Sequence, residues 1–248
     1  MALRERLNRP LTLTPFTGPV MVPRRIRVLV PTAVLMFSGL CLLWGCGTTG
    51  PDFQVRSDPW RSPEERACLA SGTVQQTAFV RSRSALGGPN VCGAENPFEM
   101  SAADNGRVVL QPAASLRCPM IPQIDRWVKE VVEPAARYQF HQELVGLKVL
   151  ASYSCRPMNS VEGAMISEHA YANAIDIGGF MLADGSTVSV LRGWNGSPRE
   201  RAFLRTVHDG SCEYFTTVLS PDYNSLHANH FHLDLAHHGL QGLKHICK

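Results

Sequence analysis

Two segments of the chain concentrate side chains that bind metals and move protons. The first, SEHAYANAID (residues 167–176), places His169 and Asp176 seven positions apart. On a single helix that spacing would separate them by about 10.5 Å along the axis, too far to share an ion. A bend between a loop carrying His169 and a strand carrying Asp176 can bring both to one point. Ile175 and Ile177 flank Asp176, the alternation of a strand with one buried face. The second segment, HANHFHLDLA (227–236), reads as a strand with His230, His232 and Asp234 on one face and Phe231, Leu233 and Leu235 on the other. Zinc takes nitrogen and oxygen ligands in near-tetrahedral geometry, and a catalytic site uses three protein ligands with one position left open. Histidine, aspartate and histidine drawn from the two segments would supply that set. Five of the nine histidines fall within 227–238, and His237 and His238 at the strand end are expected to be solvated. A polar histidine cluster without metal is the competing reading.

These side chains need elements to carry them. Ser62-Pro63-Glu64-Glu65 is a helix start: a capping serine, proline at the first helical position and an acid at the third. Ile121, Ile124, Trp127, Val128, Val131 and Val132 recur at helical spacing and predict a helix over about 120–140, which Pro134 should bend or end early. RVVL (107–110) and GLKVLASYS (146–154) read as strands, the latter buried, and a further strand over about 173–180 leads into a hairpin turn at Asp184-Gly185. Ser197-Pro198-Arg199-Glu200 opens another helix, running to about His208 and stopping near Gly210. YFTTVL (214–219) and HFHLDL (230–235) are the last strands. Helices and strands interspersed in this way predict an α+β domain, an antiparallel sheet flanked by helices, in place of a parallel βαβ sheet.

The N-terminus reads as a targeting segment. Arg24, Arg25 and Arg27 precede the apolar run VLVPTAVLMFSGLCLLW, which stops at Gly45-Cys46. That is a secretory signal over residues 1–45, with Met21 as an alternative start. The ending LWGC resembles a bacterial lipobox with Cys46 as the lipidated residue, although Trp44 is bulkier than that motif usually has; an uncleaved signal anchor is the alternative. Residues 46–61 are rich in Gly, Pro and polar side chains and read as a linker to a domain over 62–248. The formal charge of +3 belongs to the leader, which holds six arginines and one glutamate; 18 basic and 20 acidic groups remain without it, a formal charge of −2. A nucleic-acid partner is therefore not expected. Six cysteines lie beyond the leader and its boundary: Cys68, Cys92, Cys118, Cys155, Cys212 and Cys247. None forms a CxxC pair, so three disulfides in an oxidising compartment are expected, with pairing between neighbours: 68–92, 118–155 and 212–247.

The pattern Ser167-x-His169-x4-Ala174-x-Asp176, followed by His230-x-His232, resembles the superfamily of lysostaphin-type peptidases, D-alanyl-D-alanine metallopeptidases and hedgehog domains. More closely, residues from about 66 to 247 resemble the bacterial extensin-like C-terminal domain family, through Cys92-Gly93, SYSCR (152–156), SEHAYANAIDI (167–177), FLRTVHDGSCEYFTTVLSP (203–221) and HANHFHLDLA. One departure is Ala172, where many of the D-alanyl-D-alanine enzymes have glycine. The resemblance implies a hedgehog and metallopeptidase-like fold with His169, Asp176 and His232 as ligands of one zinc ion and His230 as general base. It implies that Arg156 neutralises a developing oxyanion and that Ser167 binds substrate or shapes its loop. His227 and Asp234 would stand behind the ligands and orient their imidazoles. Glu168 is expected to be solvated.

The function implied is a zinc peptidase of the bacterial periplasm, lipid-anchored at Cys46 and acting on peptidoglycan stem peptides or cross-links. A noncatalytic peptidoglycan-binding module that keeps its metal is the alternative. GxSxG, HExxH and phosphate-loop patterns are absent from the sequence.

Overall fold

A computed structural model describes residues 53–55, 57–88 and 90–248. The signal segment and Cys46 lie outside the described residues. Helix α1 (Arg61–Ser71) is followed by β1 (Val80–Ser82), a ribbon of β2 (Leu86–Gly87) and β3 (Gly93–Ala94), and the hairpin β4 (Phe98–Ala103) and β5 (Val108–Leu116). A helical stretch then runs through α2 (Met120–Trp127), a π-helical turn (Val128–Val132) and α3 (Glu133–Phe140) to β6 (Leu144–Ala151). The chain continues with β7 (Ala174–Leu182), β8 (Thr187–Ser189), α4 (Val190–Gly193), α5 (Pro198–Ser211), β9 (Thr217–Leu219), β10 (Phe231–Asp234) and β11 (Ile246–Cys247).

Nine strands form one sheet in the order β1-β4-β5-β6-β7-β10-β9-β11, with β8 hairpinned onto β7. The sheet is mixed, which corrects the antiparallel expectation: β5 pairs with β6, and β9 with β11, in parallel. The cause is the helix over 120–140, which carries the chain back across the sheet so that β6 runs in the direction of β5. The strand expected over 107–110 is longer, β5 running on through Pro112. Between the Met100–Ala114 and Ala102–Val109 pairs β5 carries four residues where its partner carries one, so a bulge in β5 takes up Pro112 and the strand continues to Leu116. Pro134 does not end the helix either. It lacks the N–H that would satisfy the Glu130 carbonyl, and the wider turn before it absorbs the defect, with Glu133 N–H reaching back to the Val128 carbonyl.

The helical stretch buries Met120, Ile121, Ile124, Trp127, Val128, Val132, Ala135 and Ala136 against one face of the sheet. Trp127 meets Phe180 and Phe215 edge-on at ring distances of 6.3 and 5.9 Å, and Phe203 of α5 meets Phe180 at 5.1 Å. α5 has the expected capping box, Ser197 with Glu200. It runs past Gly210 to Ser211, because that glycine serves packing: a Cβ there would stand 2.5 Å from Val131 Cγ1. α1 begins at Arg61 after Trp60, without a side-chain cap from Ser62.

Three disulfides staple the domain, and two of the expected pairings are corrected. Cys68 joins Cys118 and Cys92 joins Cys155, while Cys212 joins Cys247. Neighbours in sequence are not neighbours in space here. α1 packs at the start of α2, where buried Arg117 donates to Glu65 at 2.5 Å, and the β2–β3 ribbon lies beside the segment that follows β6. The C-terminal part of the stretch read as a linker is docked on the domain: Gln54 N–H donates to the Ala164 carbonyl and Ile166 N–H to the Gln54 carbonyl, both at 2.8 Å. His237 and His238 are engaged as well, not solvated. His237 stacks on Trp60 at 3.9 Å and pairs with Glu64, and His238 Nε2 lies 2.7 Å from Thr217 Oγ1.

Candidate metal centre

The site begins with the register of two central strands. β10 runs antiparallel to β7 with His232 directly opposite Asp176, Phe231 opposite Ile177 and Leu233 opposite Ile175. Because side chains alternate, the four apolar residues enter the helix-covered core while Asp176, His232 and Asp234 share the other face. His169 arrives from a 3-10 turn, Glu168–Tyr171, capped by Ser167, whose Oγ accepts from His169 N–H at 3.3 Å. The turn ends at Ala172 in the left-handed region, φ 54°, a conformation glycine adopts more easily.

Each imidazole has one nitrogen committed away from the centre. His169 Nδ1 lies 2.5 Å from the Ser152 carbonyl, which only accepts, so Nδ1 carries the proton and Nε2 keeps its lone pair. His232 Nε2 lies 2.9 Å from Asp234 Oδ2 and donates to it by the same reasoning, leaving Nδ1 with its lone pair. Those two lone pairs and Asp176 Oδ1 converge: His169 Nε2 to His232 Nδ1 3.2 Å, His169 Nε2 to Asp176 3.2 Å, and His232 Nδ1 to Asp176 2.9 Å. Three acceptors this close repel unless a cation, either a proton or a metal ion, lies among them. His169 and Asp176 are buried, and His232 nearly so.

The electrostatics follow. Burial works against a charge on His232, yet its hydrogen bonds to Asp176 and Asp234 raise its pKa to about 10. Burial likewise opposes ionisation of Asp176, but hydrogen bonds from His169 and His232 hold it far below the usual carboxylate range. Without a metal, a proton fills the triangle. His169, Asp176 and His232 form a group that could hold a metal ion. A second grouping, His208 with Cys212 and Cys247, offers no thiolate because its cysteines are joined in a disulfide.

The triangle lies in a cleft of about 490 Å³ that Arg156, Ser167, His227 and His230 also line. β10 starts at Phe231, so His230 stands just ahead of the strand, on a turn in which its N–H donates to the His227 carbonyl at 3.3 Å. Its ring still reaches the centre, with Nε2 3.6 Å from Asp176 Oδ1 and Nδ1 2.8 Å from Asn229 Oδ1. Burial lowers its pKa, and neighbouring cations add to that against the attraction of Asp176. His227 does not hydrogen-bond a ligand imidazole as expected. Its Nδ1 pairs with Asn224 Oδ1 at 2.7 Å, its ring packs 5.1 Å from that of His230, and burial and the charges of His230 and His232 push its pKa down to about 4. Arg156 is close enough to disfavour protonation of both histidines. Asp234 stands behind His232, with its second oxygen accepting from Ala236 N–H at 2.9 Å.

Sequence reasoning missed two supports. A backbone carbonyl such as that of Ser152 leaves no side-chain signal at all. Glu168 is not solvated: Arg61 and Asn173 both donate to its carboxylate.

Fold and site together define a disulfide-stapled α+β domain with a buried His/Asp/His donor triangle at the floor of a cleft. The family model for the extensin-like protein C-terminus matches residues 66–248, and the chain belongs to that family. Comparison with curated proteins and with solved structures finds no match.

Proposed function

We propose that the chain is a zinc-dependent peptidase of the bacterial cell envelope that hydrolyses peptidoglycan stem peptides or their cross-links, within the metallopeptidase and hedgehog superfamily that its motifs resemble. The observation that carries the reading is the convergence of three lone pairs from His169, Asp176 and His232 beside His230 and Arg156 in one cleft. Tetrahedral zinc with bonds of about 2.0 Å needs donors about 3.3 Å apart, close to the spacing present. His169, Asp176 and His232 would hold the ion, and the Ser152 carbonyl and Asp234 would fix the two imidazoles behind it. Zinc, when bound, supplies Lewis acidity toward the scissile carbonyl and makes water more acidic.

The chain's own groups do the rest. His230, kept neutral by burial, accepts a proton from the attacking water as the new C–O bond forms. It returns that proton to the amine as the C–N bond breaks. The Arg156 guanidinium sits in the cleft to offset negative charge on the carbonyl oxygen. Ser167 serves first as the cap that orients His169, and its place in the lining leaves it next to substrate. With Cys46 as the lipid anchor, seven residues of reach to Phe53, about 25 Å fully extended, hold the cleft near the membrane face.

The test is digestion of purified sacculi by zinc-loaded protein, with and without chelator, read by mass spectrometry of the released fragments. Chelator-sensitive fragments are expected, and their masses identify the bond. A folded, zinc-containing protein that releases none would remove the peptidase reading in favour of a binding module.

A further inference from the structure

The arm that precedes the family-matched region is part of the wall around the metal centre. Gln54 is hydrogen-bonded on both sides to the 164–166 segment, Asp58 reaches the cleft lining, and Arg61 opens α1. Arg61 grips Glu168 with a two-pronged hydrogen bond, Nη1 to Oε2 at 2.8 Å and Nη2 to Oε1 at 2.9 Å. Asn173 Nδ2 donates to the same Oε2 at 2.7 Å. The guanidinium also lies 3.9 Å over the Tyr171 ring and 4.4 Å from the Trp60 ring. Glu168 and Tyr171 are the first and last residues of the 3-10 turn, and His169 follows Glu168 directly. One cation thus holds both ends of the turn that carries a metal donor.

The geometry favours a firm hold. Planar, two-pronged pairs are the strong class of ion pair, and the side chains of Arg61 and Glu168 are each only 12% exposed. Arg61 is itself anchored. Its Nη2 donates to Asp58 at 2.8 Å, and its carbonyl accepts from Arg117, which is tied to buried Glu65.

We infer that Arg61, which stands ahead of the family-matched region, is a positioning residue for the metal centre: by gripping Glu168 and Tyr171 it fixes the turn that presents His169. This rests on the metal reading above. It also makes the arm part of the working unit, not a passive spacer.

Zinc affinity, measured by competition with a chromophoric chelator, and the visible spectrum of the cobalt-loaded site separate positioning from general stability. The proteins compared are the full chain and its variants Arg61→Ala, Arg61→Lys, Glu168→Gln and Arg137→Ala, the last an exposed ion-paired arginine on α3. Arg61→Ala should weaken zinc binding by about 10–100-fold and alter the cobalt spectrum, as losses behind metal ligands do. Arg61→Lys should recover part of that loss, and Glu168→Gln should resemble Arg61→Ala. Arg137→Ala should leave affinity and spectrum alone, with thermal melting following the fold in each case. If Arg61→Ala unfolds, Arg61→Lys and Glu168→Gln carry the same comparison. Unchanged affinity and spectrum in the folded Arg61 and Glu168 variants, or equal losses in Arg137→Ala, would overturn the positioning role. An unaltered chain that takes up neither zinc nor cobalt would instead sink the metal reading, and this inference with it.

Discussion

β7 and β10 present two faces, built from alternate residues of the same strands and held by different forces. On the helix-covered face, Ile175, Ile177, Phe231 and Leu233 have no exposed surface, and packing is all they require. On the cleft face, Asp176 and Asp234 are almost as buried, yet each must meet a particular atom: His232 for both, His169 for Asp176 and the Ala236 amide for Asp234. The apolar face tolerates exchange of one side chain for another of similar volume. The polar face does not, because deleting one partner leaves the others buried without a counterpart.

The contrast can be broken from either side. On the function proposed above, Asp176→Ala should have the largest effect, abolishing zinc uptake and hydrolysis together; elemental analysis of the purified variant checks it. On the other face, Phe231→Ala should cost about 3–5 kcal/mol of stability, read by denaturant unfolding, while any protein still folded keeps its donors. Retention of zinc by Asp176→Ala, or loss of the metal site in a folded Phe231→Ala, would show that the faces are not separable.

Proton linkage sharpens the comparison further. The pKa of His232 rises from an ordinary 6.5 to about 10 on folding. The folded chain therefore binds more protons than the unfolded one between those values, and stability from this group is complete below the first and lost as pH rises through the second. Asp176 is lowered on folding, so its contribution is present above the ordinary carboxylate value and lost as pH falls. His227, lowered from 6.5 to about 4, adds a loss on the acid side across that interval. The metal-free protein should therefore hold best near pH 6.5 and lose stability both toward pH 10 and toward pH 4, as thermal melts across pH will test. A metal ion must displace the proton on His232. Calorimetry in buffers of different ionisation enthalpy should therefore find release of about one proton per zinc at pH 7. The smallest effect is expected at Ser197→Ala, which removes one half of the α5 capping box at a cost of about 1 kcal/mol and leaves zinc affinity unchanged.

What could be read directly was local. The alternation around Asp176 and His232, the capping box at Ser197 and the apolar stripe from Ile121 to Val132 are written in residues a few positions apart, because side-chain direction repeats every two residues in a strand and every 3.6 in a helix. The candidate donors and the membership of a family were legible for the same reason: they are short patterns of residue types. Pairing across long stretches was not. Whether β6 runs with or against β5, and whether Cys68 meets Cys92 or Cys118, depends on how a helix of some 20 residues packs against the sheet, which no short window contains. Position was the other gap. His230 is expected within a strand over 230–235 but stands just ahead of β10, yet its ring reaches Asp176, because a turn from His227 places it there.

The sequence by itself determined which residue types could meet, and that their faces would oppose an apolar core. Only the tertiary structure decided that they do meet, since the Ser152 carbonyl, the Arg61 grip and the register of β7 on β10 come from segments 17 to 107 residues away. Such contacts form only once the core has drawn those segments together, because closing long loops costs entropy that burial of the core must offset.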